Sequence, residues 1–375
     1  MLPGHAYDQA IQHSGENRLM QIRRVVALSV ALAFVGAMAP TLFAQGAPNS
    51  KRDQPKRTKQ EQQDIEALVK VAEGVTAGTE PGPTDLPIAW TSNYYSLMAN
   101  GVTYVPFTLS IDPAKVAAPG LAMYVRVISK DPAPAPAAAA AGKERARDEQ
   151  PARPVYPWED IFFGPVGADG KVQRAIAVKP GNYDVLVFAK ERTPEKEQKN
   201  APPRKVGVLR HALTVPNFAS TDLQTSSVIL ASTVEPIAKP LTPAEQLEQP
   251  YTLNGVRLVP SPDGKFKKSS ELQLVFWVYG AGNTAGKPNL VIDYSFHQKT
   301  GDTEKYFNKT APQELSAQTL QPDFDANLGH QLMGYLLGLP LTSFPEGDYR
   351  LEIKITDKIS GKTVTQNANF AVVAG

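Results

Sequence analysis

A turn that leads into a strand occurs twice in this chain and constrains its fold more than any other feature. The first copy begins at Pro180, and the second begins at Pro345. In each copy a Gly and then an Asn or Asp precede a Tyr, and the Tyr opens a run whose apolar residues recur at every second position. Pro, Gly and Asn favour turns, and apolar residues at every second position are typical of a strand with one face on a core. Both segments are therefore predicted to be a tight turn followed by a half-buried antiparallel strand.

A Tyr at the start of a late strand is typical of the tyrosine corner of immunoglobulin-like sandwiches. Two copies predict an all-β chain with two immunoglobulin-like antiparallel β-sandwich domains. The 33 Pro and 27 Gly, spread between short β-rich runs, favour the same fold class. We expect Tyr183 and Tyr349 to be buried, with their hydroxyls hydrogen-bonded to nearby main chain.

The N-terminal residues 1–44 are predicted to contain an export signal. Arg23 and Arg24 precede an apolar stretch at 25–39, and small or aliphatic residues follow up to Ala44. Met20 is the start expected for such a signal, so residues 1–19 are interpreted as an upstream extension. The alternative is a membrane anchor, but the apolar stretch is shorter than the ~20 residues that span a bilayer.

Composition limits the compartment and the partners. The chain contains no Cys, so it has neither disulfides nor a lipidated N-terminal Cys. Its formal net charge of +2 is too small to indicate a nucleic-acid partner. We expect a periplasmic or secreted protein that starts near Gln45 and has no stable membrane span after cleavage of the signal.

The domain prediction follows changes in composition along the mature chain. A disordered basic leader and a short amphipathic helix at 61–76 precede the first sandwich. That sandwich carries two low-complexity or charged insertions, which we expect to be mobile surface loops, and a Pro-rich linker separates it from the second sandwich. The predicted ranges are 45–85 for the leader and helix, 86–232 for the first domain with insertions at 131–154 and 191–204, 233–250 for the linker and 251–375 for the second domain.

Part of the second domain resembles a known group of proteins. The segment FPEGDYRLEIKITDK at 344–358 and the ending NFAV at 369–372 resemble the C-terminal β-sandwich of uncharacterised exported proteins of acidobacterial type. That ending is shared with bacterial proteins bearing GWxTD or von Willebrand-related modules. The likeness extends upstream to YVPFT at 104–108, FNKT at 307–310 and the segment 324–332. The resemblance implies an exported β-sandwich and brings no assigned activity, because neither a GWxTD motif nor an integrin-type metal motif is present.

The sequence offers little catalytic chemistry. Three histidines lie in the mature chain: His211 is predicted to be a core or edge residue, His297 to face solvent, and His330 lies in a loop. The common hydrolase motifs are absent, and no cofactor is indicated. The weak candidate for a Ca²⁺ site is Asp323, Asp325 and Asn327, whose oxygens alternate along a loop. The alternative is that these side chains cap turns of their own main chain.

Aromatic residues are the last candidates for binding. Trp90, Tyr94 and Tyr95 cluster near the start of the first domain, and Trp158 follows the first insertion. Exposed side by side they could stack on a sugar or anchor a partner, although most aromatics of a sandwich belong to its core. The sequence therefore indicates a non-enzymatic binding or structural module with an envelope protein or glycan as partner. The alternatives are a carbohydrate-binding protein and a hydrolase that uses carboxylates.

Overall fold

The computed structural model describes residues 57–98, 101–117, 120–131, 155–196, 201–239, 241–253 and 255–375. The predicted signal at 1–44 lies outside the described residues, as do most of the basic leader and most of the first insertion. The chain forms two compact units. Within the described residues, the N-terminal unit contains residues 57–220 and Leu247–Pro250, and the C-terminal unit contains Thr221–Gln246 and Tyr251–Gly375.

The N-terminal unit is a helix on a sandwich of two four-stranded antiparallel sheets. One sheet has the order β5-β4-β7-β8, and in the other β3 pairs with β1, β2 and β6. The core between the sheets contains Phe107, Val125 and Val187. The elements are α1 (Lys59–Ala77), β1 (Ala89–Asn93), β2 (Ser96–Leu97), β3 (Thr103–Ser110), β4 (Leu121–Ser129), β5 (Trp158–Gly164), β6 (Lys171–Val178), β7 (Gly181–Glu191) and β8 (Val206–Val215).

Helix α1 forms where the sequence predicted a helix, and it packs on the outer face of the β5-β4-β7-β8 sheet. Thr58 caps its N-terminus in a capping box with Glu61, and Gly78 ends it in the left-handed conformation, with φ 71°. Leu68 and Ala72 are buried against the sheet. The apolar stripe of the helix therefore stabilises the side of the sandwich away from the main core.

The C-terminal unit is also a β-sandwich. One sheet has the order β11-β12-β10-β14-β19, with β9 also on β14, and the other has the order β13-β21-β20-β16-β15, with β17 and β18 also on β16. The strands are β9 (Gln224–Thr225), β10 (Ile229–Pro236), β11 (Thr252–Leu253), β12 (Val256–Pro260), β13 (Lys265–Lys267), β14 (Glu271–Tyr279), β15 (Asn283–Thr284), β16 (Lys287–Thr300), β17 (Thr303–Lys309), β18 (Gln313–Ser316), β19 (Leu332–Pro340), β20 (Gly347–Asp357) and β21 (Thr363–Val373). A short helix, α2 (Pro243–Glu248), precedes β11.

The division between the units differs from the predicted one. The prediction ended the first domain at Ser232 and placed a linker at 233–250, but strand β10 runs through that boundary. It pairs with β14 and β12 of the C-terminal unit, for example through Ile229 opposite Val275. The apolar and β-branched residues of β10 favour a strand, whereas its choice of sheet depends on partners that are distant in sequence.

Both tyrosine corners are present, as predicted. The hydroxyl of Tyr183 donates to the carbonyl of Lys179, and that of Tyr349 donates to the carbonyl of Pro345, each at 2.8 Å. The two rings are 5% and 0% exposed. Each corner therefore joins a buried strand to its preceding turn by the same bond across four residues.

The second predicted insertion, 191–204, is anchored at its start, which corrects the expectation of a mobile loop there. The carboxylate of Glu191 is buried and accepts from the main-chain N–H groups of Ala117 and Lys205. Arg192 pairs with Glu61 at 3.0 Å, and the N–H of Thr193 donates to a carboxylate of helix α1. The sequence prediction missed this anchoring because Arg192 finds its counter-charge, Glu61, on α1, which is distant in sequence.

Candidate functional site

Strand β5 is the terminal strand of its sheet. It pairs with β4 along its whole length, from Leu121 opposite Gly164 to Val127 opposite Trp158. Within the described part of the chain, no strand pairs with its other edge. That edge can therefore offer main-chain donors and acceptors to another strand.

The hydrogen bonds of β4 show which main-chain groups of β5 are free. The N–H of Lys130 donates to the carbonyl of Asn182, so residues of β4 in phase with Lys130 bond to β7. The alternate residues, such as Val125, then bond to β5. The main-chain groups of Asp160, opposite Val125, consequently point toward β4, and those of Ile161 point toward the free edge.

The side chains of β5 alternate between two environments. Trp158, Asp160 and Phe162 stand opposite core residues of β4 and lie on the core side of the sheet. Glu159, Ile161 and Phe163 stand on the side that carries helix α1; Ile161 and Phe163 pack against its cluster, and Glu159 accepts from Tyr124 of the same cluster. Both sides are relevant to the site because a charged guanidinium group covers an aromatic ring on each.

Arg174 covers the core side. It lies on the same face of β6 as the core residues Val172 and Ile176, and its guanidinium lies 4.8 Å from the centre of the Phe162 ring. One of its nitrogens, Nη1, donates to the carbonyl of Gln173, but the buried Nε has no hydrogen-bond partner. Burial lowers the pKa of Arg174. A buried donor without an acceptor costs roughly 1–3 kcal/mol, so an acceptor brought by a ligand would be stabilised there.

Two further guanidinium groups cover the helix side. Arg57 and Arg192 lie over the ring of Phe163, at 5.6 and 5.2 Å from its centre. Arg192 also pairs with Glu61. A buried nitrogen of each, Nη1 of Arg57 and Nε of Arg192, has no hydrogen-bond partner. The two faces of β5 thus share one chemistry, aromatic rings overlaid by donors that lack acceptors.

Asp160 covers the free edge of β5 itself. Its Oδ1 accepts from the N–H of Ile161 at 2.8 Å, which is the donor that points away from β4. Burial raises the pKa of Asp160, against the lowering effects of this bond and of the charges of Arg57 and Arg174. Among the described residues no ion pair within 4.0 Å joins Asp160 to either arginine, so these charges act on one another only at longer range.

A small cleft lies between the edges of β5 and β6. Its walls are mostly apolar, with Leu121, Met123, Phe162 and Val172 beside Arg174. The water-accessible volume of the cleft is about 10 Å³, roughly what one water molecule needs. The cleft is therefore too small to enclose a small-molecule ligand.

Trp158, one of the predicted binding aromatics, belongs to this region. It packs partly against the core of the N-terminal unit, and its buried Nε1 has no hydrogen-bond partner. It stands two residues before Asp160 on the same face of β5. Among the described residues, Trp158 therefore adds a second donor without an acceptor to the core side, beside that of Arg174.

The other predicted aromatics are placed elsewhere. The indole of Trp90 stacks on Phe107 and His211, with ring centres 4.4 and 4.2 Å apart, and its Nε1 donates to Asn93. Tyr95 packs against the core. A ring that already stacks on two side chains of its own unit has no free face for a sugar.

Tyr94, the fourth of the predicted aromatics, is half-buried in the segment after β1. Its main-chain N–H donates to the carbonyl of Pro106 on β3. Tyr94 is therefore attached to the sheet that contains β3, whereas Trp158 lies on β5 of the other sheet. The two aromatics do not form one platform.

Of the three Ca²⁺ candidate residues, Asp325 caps its own loop. Asp325 caps a 3-10 turn at Ala326–Leu328 by accepting from the N–H of Asn327, while its own N–H donates to Nδ1 of His330. Asp323 is exposed. This is the alternative interpretation of the motif, in which Asp and Asn stabilise turns.

A cation already lies beside that loop. The ammonium group of Lys287 donates to the carbonyls of Gln321, Pro322 and Phe324. These carbonyls are oxygens of the kind that a Ca²⁺ ion would need. The lysine therefore supplies the positive charge that the loop stabilises.

The histidines have structural surroundings. Burial lowers the pKa of His211, which lies against Trp90. His297 is half-buried rather than solvent-facing, because a bulge in the pairing of β16 with β17 turns it toward Tyr306. Across the described ranges, no group of three or more His, Asp or Glu side chains is placed to hold a metal ion. The same residues contain no helix that is long and apolar enough to cross a membrane.

Comparison with known proteins gives likeness of structure alone. No family model and no curated protein matches the chain. Among solved structures, the Escherichia coli α2-macroglobulin activated by porcine elastase is similar over 77% of this chain and 22% of its own, with 12% identity and a TM-score of 0.20. A Salmonella α2-macroglobulin reacted with methylamine is similar over 78% and 17%, with 9% identity and a TM-score of 0.19. The chain spans about a fifth of the length of these macroglobulins.

Sequence reasoning identified Trp158 but missed the arginines and Asp160. One signal was present, because Arg174 interrupts the apolar phase of β6 between Val172 and Ile176. A charge in the apolar phase of a strand marks an edge or a site. The positions of Arg57 and Arg192 carried no comparable signal, since their shared ring is distant from both in sequence.

Proposed function

We propose that this chain is an exported, non-enzymatic binding or structural module of the periplasm or the cell exterior. One observation carries the binding role: among the described residues, β5 is an edge strand with one unpaired side, and donors without acceptors lie on both of its faces. Arg174 provides one on the core side, and Arg57 and Arg192 provide two on the helix side. A partner that brings main-chain and carboxylate oxygens would satisfy these groups together.

The export part of the proposal rests on the sequence. The basic residues before an apolar stretch, the small residues near Ala44 and the absence of Cys all favour a cleaved signal and an extracytoplasmic product. The resemblance to exported proteins of acidobacterial type supports the same compartment.

The two alternative functions receive less support from the geometry. A sugar platform needs free aromatic faces, and Trp90 stacks on Phe107 and His211. Carboxylate catalysis needs two acids that share a site, whereas the charged neighbours of Asp160 are Arg57 and Arg174.

Native electrophoresis of envelope extract tests the binding role. We expect the wild-type chain to migrate within a larger complex and Arg174→Gln to release it. Lys171→Gln is the matched control, because Lys171 is an exposed cation on the same strand, and it should leave the complex intact. Equal migration of wild type and Arg174→Gln would refute a binding role for this edge. Retention of residues 25–39 in the envelope protein would refute export by a cleaved signal.

A further inference from the structure

The edge strand β5 has a charge pattern that complements itself. We infer that β5 binds β5 of a second copy of this chain, antiparallel and centred on Ile161, so that the two sheets join into one. In this register Asp160 stands opposite Phe162 of the second copy, and Glu159 stands opposite Phe163 of the second copy. This is an isologous two-fold contact, in which each interaction occurs twice.

The core side supplies the first matched pair. Phe162 of either copy lies beneath the guanidinium of its own Arg174, whose buried Nε lacks an acceptor. Residues directly opposite each other in an antiparallel pair have Cβ atoms roughly 4.5–5.5 Å apart. The carboxylate of Asp160, brought opposite that ring, therefore meets the guanidinium of the other copy. The contact gives Nε of Arg174 an acceptor, which it lacks among the described residues, and brings Asp160 within ion-pair distance of a guanidinium group.

The helix side supplies the second matched pair. Phe163 lies beneath Arg57 and Arg192, and each of these arginines has a buried nitrogen without a partner. The register places Glu159 of the second copy opposite this ring. Glu159 is exposed, and in one chain its carboxylate accepts from the hydroxyl of Tyr124 at 2.6 Å. It retains further acceptor capacity, since a carboxylate has about four lone-pair sites.

The main chain of the edge has the required direction. The N–H of Ile161 points away from β4, and within one chain it is covered by the carboxylate of Asp160. On pairing, the carbonyl of Ile161 of the second copy would accept from that N–H. Asp160 would then be free to turn toward Arg174 of the second copy, so one exchange of acceptors satisfies both groups.

The alternative is that these charges prevent edge pairing. Inward-pointing charged residues are one way in which natural sheets keep their edges from aggregating. Such guard residues need only remain hydrated, whereas Asp160 and Arg174 fall at positions that oppose each other under one two-fold axis. The two interpretations predict opposite results when the charges are removed.

Exchange of the two charges tests the proposal in the full exported chain, with sedimentation velocity over a range of concentrations as the measurement. We expect wild type to dimerise, and Asp160→Arg and Arg174→Asp each to weaken dimerisation about tenfold or more, because each places like charges opposite each other. An equimolar mixture of the two variants should recover the dimer, since unlike charges then face each other at both contacts. Lys171→Asp on the same strand is the control and should dimerise as wild type does.

Each departure from these results overturns the inference. A wild-type chain that stays monomeric, or a mixture that does not recover the dimer, would exclude this pairing. Arg174→Leu with stronger self-association than wild type would identify the arginine as a guard residue. Loss of the larger envelope complex in Arg174→Gln, with a monomeric wild type, would retain the binding role and assign the edge to a different partner.

A cysteine variant tests the register, because the chain contains no other Cys. Ile161→Cys lies on the proposed two-fold axis and should form an intermolecular disulfide under mild oxidation. Tyr306→Cys is the control, since Tyr306 is 58% exposed on β17, an edge strand of the C-terminal unit. A wild-type dimer with no cross-link through position 161, or with equal cross-linking at 306, would show the register to be wrong.

Discussion

In the N-terminal unit the edge strands β5 and β6 leave a cleft between them, whereas in the C-terminal unit a side chain closes the corresponding side. The equivalence follows from topology: β6 directly precedes the tyrosine-corner strand β7, as β19 precedes β20. The carboxamide of Gln313, on β18, accepts from the N–H of Tyr335 on β19 and donates to the carbonyl of Met333. Gln313 thus binds the edge of β19 as a peptide group of a neighbouring strand would.

The difference shows two ways to treat a free sheet edge. Gln313 also accepts from the hydroxyl of Tyr294, so the amide is part of a satisfied network. A bulge further protects β19, where the register shifts near Gly338 and the φ of that residue is 70°. The C-terminal unit satisfies its edge within the chain. Among its described residues, the N-terminal unit keeps buried donors that have no acceptor.

Replacement of a corner tyrosine is expected to have the largest effect on the free energy of unfolding. It should destabilise the unit that contains the tyrosine and leave the other unit unchanged. Tyr349 packs with Phe307, Phe344 and Phe370, at ring-centre distances of 5.2–5.6 Å. Tyr349→Ala should cost about 3–5 kcal/mol of the free energy of unfolding of the C-terminal unit, as a large-to-small core change does. Hydrogen exchange resolved by unit measures this. An unchanged C-terminal unit would contradict the corner interpretation.

Loss of the ion pair between helix α1 and the sheet below it is expected to lower the stability of the N-terminal unit alone. Asp64 is 1% exposed and pairs with Lys190, and it also accepts from Thr193. Asp64→Ala leaves the lysine without its counter-charge and should cost about 3 kcal/mol in that unit. Glu61→Ala removes the more exposed pair with Arg192 together with the capping-box bond to the N–H of Thr58, and it should cost about 1 kcal/mol, less than Asp64→Ala. Equal losses for the two variants would contradict the role of burial.

Removal of the Gln313 carboxamide is expected to leave the C-terminal unit with a free sheet edge, as in the N-terminal unit. Gln313→Ala leaves the N–H of Tyr335 and the carbonyl of Met333 without their partner, which should cost about 1–3 kcal/mol. It should also expose the edge of β19 and increase self-association. Calorimetry and light scattering measure the two effects, with Gln366→Ala on β21 as the control. A stable variant would show that Gln313 does not close this edge.

The smallest expected effect is on how stability changes with pH, and it has opposite signs in the two units. Burial raises the pKa of Asp160 above its ordinary 3.8. Its contribution to stability is therefore present below that pH and is lost as the pH rises through the folded-state value. Asp160→Asn should stabilise the monomeric N-terminal unit near neutral pH and have no such effect below about pH 3.8.

Asp357 of the C-terminal unit provides the contrast. Burial opposes ionisation, but bonds from the hydroxyl of Ser360 and the N–H groups of Gly282 and Ile359 together lower its pKa. Its contribution is present above pH 3.8 and is lost as the pH falls through the folded-state value. Asp357→Asn should destabilise the unit at neutral pH. Thermal midpoints that move in the same direction for both variants would contradict this difference.

The sequence alone determined the class of fold and its two corners. Strict alternation at Tyr349, Leu351 and Ile353 depends only on neighbours along one strand, and it gave strand β20 and its buried face. The capping residues of α1 are similarly local. Such features can be predicted because the period of side chains along a strand or helix is fixed by backbone geometry.

Tertiary structure decided which strands pair and where the edge lies. Strand β19 has no alternation to detect, because Gly334 fits against Phe276, where a Cβ would lie 2.1 Å from the ring. The sheet of β10, the amide of Gln313 on β19 and the arginines on Phe162 and Phe163 all depend on residues far apart in sequence. A local pattern gives the side to which a residue points, but only the folded chain determines what it meets there and which donors are left without an acceptor.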